Sequence, residues 1–426
     1  MDSVNFRRDI TLLFTTRIVR LFAYGFLSVV MVLYLSEIGL KDHEIGLLLS
    51  LTLIGDVAVS FWVTTFADRM GRKKMLILGA VLMVLAGSIF VLTKNPIILT
   101  IAAIIGIISP SGNEIGPFLS IEQAALSQLV PDKKRTSIFA WYNLAGSFAT
   151  ATGALCSGWL AAILEKFVLS PIGAYQIILI CYALSGFLLI IFFVGLSKSV
   201  EAASSSNINH ANLSDVNANT KDINTTKIRY SMGLHSSKKV VIKLSSLFAL
   251  DAFAGGFILQ SMMAYWFHIK FGIDAAVIGS IFFGANIFAG ISALLASWIS
   301  KHIGLIKTMV FTHIPSNVLL CLIPFMPNLE SAIVMFLLRS SISQMDVPTR
   351  QSYTMAVASP DERTAASGIT NIARSVGASC SPVLTGFLIS NPIFFSTPFF
   401  LAGGLKIIYD LSLYRSFESI KPPEEI

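Results

Sequence analysis

Along the 426-residue chain, polar residues are confined to short stretches between long apolar runs. The runs cover 12–36, 44–66, 75–93, 97–119, 138–162, 172–195, 244–268, 275–299, 308–326, 330–352, 365–389 and 394–413. Crossing a ~30 Å hydrocarbon core as a helix takes roughly 20 mainly apolar residues. None of the runs shows the strict apolar–polar alternation of membrane barrel strands. The pattern therefore predicts an all-α membrane protein with twelve transmembrane helices in a lipid bilayer. The first run is too long for a signal-peptide core, and no A-x-A-like cleavage site follows it.

The pattern breaks at 198–243, which is rich in Ser and Asn and closes on Lys238, Lys239 and Lys243. Such a stretch buries too little apolar surface to offset its ordering entropy. It reads as a linker between six-helix halves at 1–197 and 244–426. The halves repeat each other. A shift of 228 residues carries Arg135-Thr136 onto Arg363-Thr364, Gln123 onto Gln351 and Gly158 onto Gly386. A shift of 231 carries Gly25-Phe26 onto Gly256-Phe257, and 233 carries Gly39 onto Gly272 and Ile45-Gly46 onto Ile278-Gly279. A pseudo-symmetric pair of six-helix halves follows, and a solute site is expected near the midplane between such repeats.

Composition agrees. The chain is 54% apolar and 13% charged, with mean hydropathy +0.74; soluble domains carry about 25% charged residues. The net charge of +7 would suit nucleic acid, but its placement excludes that partner. Lys and Arg concentrate at the chain ends, the linker and every second loop, while the other loops hold Lys41, Lys94, Lys166 and Lys270. The positive-inside rule then puts both termini in the cytoplasm of an integral multi-pass protein, with the plasma membrane the expected location. Cys156, Cys181, Cys321 and Cys380 fall inside spans and suggest neither disulfides nor a metal site. No cofactor is expected. No phosphate loop, H-E-x-x-H, G-x-S-x-G or histidine cluster supports an enzyme.

Between the second and third runs the chain reads Ala67-Asp-Arg-Met-Gly-Arg-Lys-Lys. This resembles the G-x-x-x-D-R-x-G-R-K loop joining helices 2 and 3 in the major facilitator superfamily. Asp68, Arg69, Gly71, Arg72 and Lys73 match, and Thr64 replaces the first Gly. The resemblance implies a secondary transporter that moves a small solute by alternating access, expected to be monomeric and coupled to protons. Export is favoured over metabolite uptake, and a transporter-like receptor without transport is the alternative. It also implies a conformational latch: Asp68 at the start of the helix near Arg363, and Arg72 paired with an acid at the inner end of helix 4. Glu122 is that acid, with Arg135 sharing it. Glu122 follows Ile97 by 25 residues, roughly 38 Å along a straight helix, which puts it at the inner surface.

Ionisable residues inside spans are costly and mark candidate sites. Arg20 and Asp251 are related by the 231 shift and are expected to pair across the cavity. Span 4 carries Pro110, Gly112, Asn113, Glu114, Gly116 and Pro117, and span 10 carries Arg339, Gln344, Asp346 and Pro348. Such content implies broken helices facing protein or a cavity. In the family, helices 1, 4, 7 and 10 line that cavity. Arg20, Asn113, Glu114, Asp251, Arg339 and Asp346 are thus the substrate and proton candidates. Span 4 lacks the Arg and span 5 the Pro of many proton-driven relatives. Lys406 and Asp410 are read as a neighbouring pair on span 12, and His313 as a packing residue.

Overall fold

The structure is a computed structural model describing residues 2–112, 118–130, 132–167, 170–201, 237–359 and 362–419. Within it, the side chains of 2–5, 64–69, 127, 132–137, 140, 297 and 363–365 are not described. The first half contains α1 (Asp2–Glu37), α2 (Asp42–Met70), α3 (Arg72–Leu92), α4 (Pro96–Ile105), α5 (Phe118–Leu129), α6 (Asp132–Phe167) and α7 (Pro171–Val194). The second contains α8 (Lys238–Gly256), α9 (Gln260–Phe271), α10 (Ala275–Ile303), α11 (Leu305–Leu322), α12 (Leu329–Ser340), α13 (Asp346–Val357), α14 (Arg363–Ile389) and α15 (Thr397–Phe417). No strand occurs among the described residues.

Among the described residues, nine helical segments are long and apolar enough to cross a membrane, α8 and α9 counting as one. The remaining three of the twelve expected crossings fall on α4–α5, α12–α13 and α15. Span 4 stops being helical after Ile105, and span 10 turns at 341–345. The α15 helix carries Lys406 and Asp410 in its middle. Span 7 also breaks, at 257–259. Spans 4, 7 and 10 are thus each two helices. The basic run at 238–243 lies in the first turns of α8 rather than ahead of it, and residues 202–236 lie outside the described set.

Helix starts follow their caps. Asn95 accepts from the Ile97 and Ile98 amides ahead of α4, Ser170 caps α7, Asp274 caps α10 and Asn328 caps α12. The α2–α3 and α10–α11 turns each pivot on a glycine with positive φ: Gly71 at +102° and Gly304 at +87°. These are repeat-mates under the 233 shift. The backbone geometry survives where the basic sequence has decayed, because only glycine enters that region cheaply.

Packing repeats too. Helix α1 lies on α6 as α8 lies on α14, and α3 lies on α7 as α11 lies on α15. The halves meet through α6 against α10 and α2 against α14. Outward faces carry exposed Trp159, Phe187, Trp298, Phe311, Val334 and Phe387. An apolar surface of that extent belongs in lipid. The first turns of α1 and α8 and the end of α15 lie on one side of the bundle, here the terminal side. The opposite, distal side carries the α1–α2, α3–α4 and α9–α10 connections.

Candidate functional site

Two glycine contacts close the distal side. A methyl group at Gly158 on α6 would sit 2.1 Å from the Ala275 carbonyl oxygen of α10, and one at Gly279 would sit 2.5 Å from Ala154 O. On α2 and α14, a methyl group at Gly46 would sit 2.4 Å from Pro382 O, and one at Gly386 would sit 2.4 Å from Asp42 O. Gly158 and Gly386 are repeat-mates, as are Gly46 and Gly279, so one contact is built twice. Around it, the Tyr265 hydroxyl donates to Asp42 at 2.8 Å, Trp159 Nε1 to Ser280 at 3.2 Å, and Val383 N to Ser50 at 2.9 Å. Deeper, Asn286 Nδ2 donates to Gln260 Oε1 at 3.4 Å, Gln260 Nε2 to Ser28 at 2.8 Å, and Ser261 N to Pro110 O at 3.1 Å. These bonds use the broken ends of spans 4 and 7. Towards the terminal side, Gly368 on α14 has nothing within 4 Å of its Cβ direction.

The first half buries one charge cluster. Arg20 grips Glu122 with two bonds of 2.8 and 2.7 Å, both side chains fully buried. Thr16 donates to the same carboxylate at 3.0 Å, and Tyr142 donates through a short bond. The Arg20 guanidinium covers the Phe118 ring at 4.6 Å, and Arg17 covers Tyr142 at 4.3 Å while donating to Asn143 at 3.1 Å. Three expectations are corrected here. Glu122 is buried rather than at the surface, because the span-4 break makes a straight-helix count inapplicable. Its partner is Arg20 and not Arg72. Arg20 in turn does not reach Asp251.

The second half buries the larger cluster. Asp251 on α8 accepts from Lys406 at 2.6 Å, Arg374 at 2.9 Å and Arg350 at 3.2 Å. Arg350 also holds Asp346 one turn away at 2.7 Å and lies 5.5 Å from the Phe248 ring. Beside it, Asp410 meets His313 Nδ1 at 2.9 Å and accepts from Asn317 at 3.1 Å. Lys406 and Asp410 therefore serve different partners instead of each other. The two clusters are charge-swapped copies. Arg20·Glu122 joins spans 1 and 4, and its repeat-mates Asp251·Arg350 join spans 7 and 10.

Arg339 stands apart. It is the next-to-last residue of α12, partly buried, its side chain with no hydrogen bond or ion pair among the described residues and its Nε fully enclosed. A helix C-terminus offers a cation about 0.3–2 kcal/mol, whereas burying an ion costs several. The dipole of α12 does not balance that cost.

The expected latch is only partly in view. Asp68, Arg69 and Arg135 have no described side chains, and Asn113 and Glu114 lie outside the described residues. The described partners of Arg72 lie on α5 and at the start of the linker. Its Nη1 donates to Gln128 at 3.0 Å and Val200 O at 3.3 Å. The Glu201 carboxylate accepts from the Arg72 and Lys73 amides at 2.6 and 3.3 Å. Glu201 thus caps α3 from the start of the linker. Sequence reasoning missed this cap, as it missed Tyr142, Asn317 and the Ser28–Gln260–Asn286 bridge; none sits in a motif.

Two buried, charge-bearing half-bundles sealed at one end define a polytopic membrane transporter fold. The Major Facilitator Superfamily model matches residues 13–338 and 244–425, and the chain belongs to that superfamily. It is 30% identical to an uncharacterized membrane protein of Saccharomyces cerevisiae over 96% of this chain and 94% of the relative. Its fold is similar to that of the nucleoside transporter NupG (TM-score 0.74, 12% identity, 96% and 99% of the two chains). It is also similar to a bacterial homolog of the human lysosomal transporter Spinster, inward-facing and occupied (0.73, 14%, 96% and 96%). A D-xylose-proton symporter gives 0.72 at 12% identity, over 98% of each chain.

Proposed function

We propose that the protein is a secondary transporter that carries a small solute across the plasma membrane by alternating access, working as a monomer coupled to protons. The observation that carries this reading is the doubled glycine contact. Two repeat-related seams at one end of the bundle are what a rocking motion between halves would open together. The charge bias of the loops supports a cytoplasmic terminal side, opposite the glycine seams, and export of an organic compound is proposed ahead of uptake.

The proton would be exchanged in the second-half cluster. Its cations are Arg350, Arg374 and Lys406, and its carboxylates are Asp251, Asp346 and Asp410. Three cations face three carboxylates, so one proton added at the hydrogen-bonded His313–Asp410 pair would tip the set. The groups facing that pair come from α8 (Asp251), α11 (Asn317), α13 (Arg350, Asp346), α14 (Arg374) and α15 (Lys406). The solute-transporter names of the structural neighbours support transport over a receptor role, including the D-xylose-proton symporter.

The test is flux. Purified full chain in proteoliposomes is loaded with solutes selected by thermal shift. Saturable movement that follows an imposed pH gradient and collapses with a protonophore supports the reading. Binding without movement would make the protein a receptor, and movement indifferent to protons would remove the coupling.

A further inference from the structure

Arg339 is the charged side chain at mid-depth for which the described residues supply no partner. It follows Leu329, the first residue of α12, by ten positions, roughly 15 Å along the axis of a ~30 Å core. Successive residues turn by about 100°, so Arg339 lies within about 20° of Ala332 and about 60° of Phe336. Ala332 is fully buried, and Phe336 packs on Phe267 of α9 and Phe282 of α10. The lipid side is marked by Val334, 64% exposed and about 140° away. Arg339 therefore shares the inner face. Contacts of Phe336 with Phe282, Leu337 with Gly284 and Gln344 with Ser292 set it level with Asn286, a member of the cross-half bridge through Gln260 and Ser28.

A guanidinium is always charged, and its planar fork matches carboxylate and phosphate oxygens two at a time. The buried charges at comparable depth on spans 1 and 7 have counter-charges: Arg20 has Glu122, and Asp251 has three cations. No described residue fills that place for Arg339, which leaves its guanidinium fork available to an anion from outside the chain. We infer that Arg339 docks an anionic group, carboxylate or phosphate, on the solute, with the amides of Gln260 and Asn286 at the same level. This rests on the transport reading for its purpose, although docking itself is measured by binding.

The experiment uses full-length protein in zwitterionic nanodiscs and reads its melting temperature. Benzoate, succinate and inorganic phosphate are the probes, with benzamide as the neutral control and chloride matching ionic strength. The expected result is a saturable rise with at least one anion, none with benzamide, loss in Arg339→Gln and partial retention in Arg339→Lys. Without any probe, Arg339→Gln should melt at or above the wild type, since it removes a charge that has no partner. A lower melting point in probe-free Arg339→Gln would reveal a structural partner and overturn the inference. So would equal responses of wild type and Arg339→Gln across the panel. A rise produced only by anionic-lipid nanodiscs would assign the occupant to a headgroup and also overturn solute docking. Failure of the transport reading looks different: Arg339-dependent anion binding with no flux in proteoliposomes.

Discussion

Replacing Gly158 by Ala should open the distal side. Elsewhere in a helix this change is favourable by roughly 0.5–1 kcal/mol. Here the added methyl would lie 2.1 Å from Ala275 O, where ordinary carbon–oxygen contacts are about 3.3–3.6 Å. The α6 and α10 backbones must part by about 1.2 Å. Overpacking of this kind costs typically about 1–3 kcal/mol. The distally open state escapes that cost, so the equilibrium should move toward it by about 5- to 150-fold. The assay is the maleimide labelling rate of Ser50→Cys from the distal face, with the four native cysteines replaced. Ser50 is 4% exposed, one turn below the Gly46 seam, so the rate follows the open population. Gly404→Ala, which meets nothing within 4 Å, is the control. Gly386→Ala should act like Gly158→Ala, with its methyl 2.4 Å from Asp42 O. A folded Gly158→Ala protein labelled within about two-fold of its parent, less than the smallest expected shift, would refute the reasoning.

Three further outcomes are expected. Glu122→Gln leaves the fully buried Arg20 without its counter-charge, a loss of about 3–5 kcal/mol that lowers the melting temperature in detergent; exchanging the pair as Arg20→Glu with Glu122→Arg should recover part of it, and equal melting of single and double variants would exclude coupling. Asp251→Asn leaves Arg350, Arg374 and Lys406 short of one anion, so it should destabilise the fold more than Lys406→Met, which the same melting measurement compares directly. Glu201→Ala removes the α3 cap at about 0.5–2 kcal/mol, and limited proteolysis should then cut near the α2–α3 turn faster than in the parent.

Much of this architecture was legible in the chain. The repeat shifts derived from short matches recur as paired features: Gly71 with Gly304 at the turns, and Gly46·Gly386 with Gly279·Gly158 at the seams. Broken helices were readable from Pro and Gly in spans 4 and 10, but span 7 breaks at Phe257–Leu259 without a proline. The buried pairs were misread for a definable reason. Equal depth of Arg20 and Asp251 suggested that they meet, whereas a repeat relates contacts rather than joining repeat-mates. What it carries is Arg20·Glu122 onto Asp251·Arg350. His313 with Asp410 was illegible because α11 and α15 become neighbours only on packing. The i, i+4 spacing of Lys406 and Asp410 then offered a local pairing that tertiary contacts override.

The central claim is that the two halves rock about their midplane. Spin-label distances across both ends of the bundle test it most directly. Lys74 and Lys307 are exposed on the terminal side, and Lys94 and Glu330 on the distal side, one of each pair in each half. Labelled pairs are measured in nanodiscs on either side of a pH step and in the Gly158→Ala background. The account expects the Lys94–Glu330 distance to lengthen while the Lys74–Lys307 distance shortens. Distances that stay fixed, or that lengthen together at both ends, would contradict it.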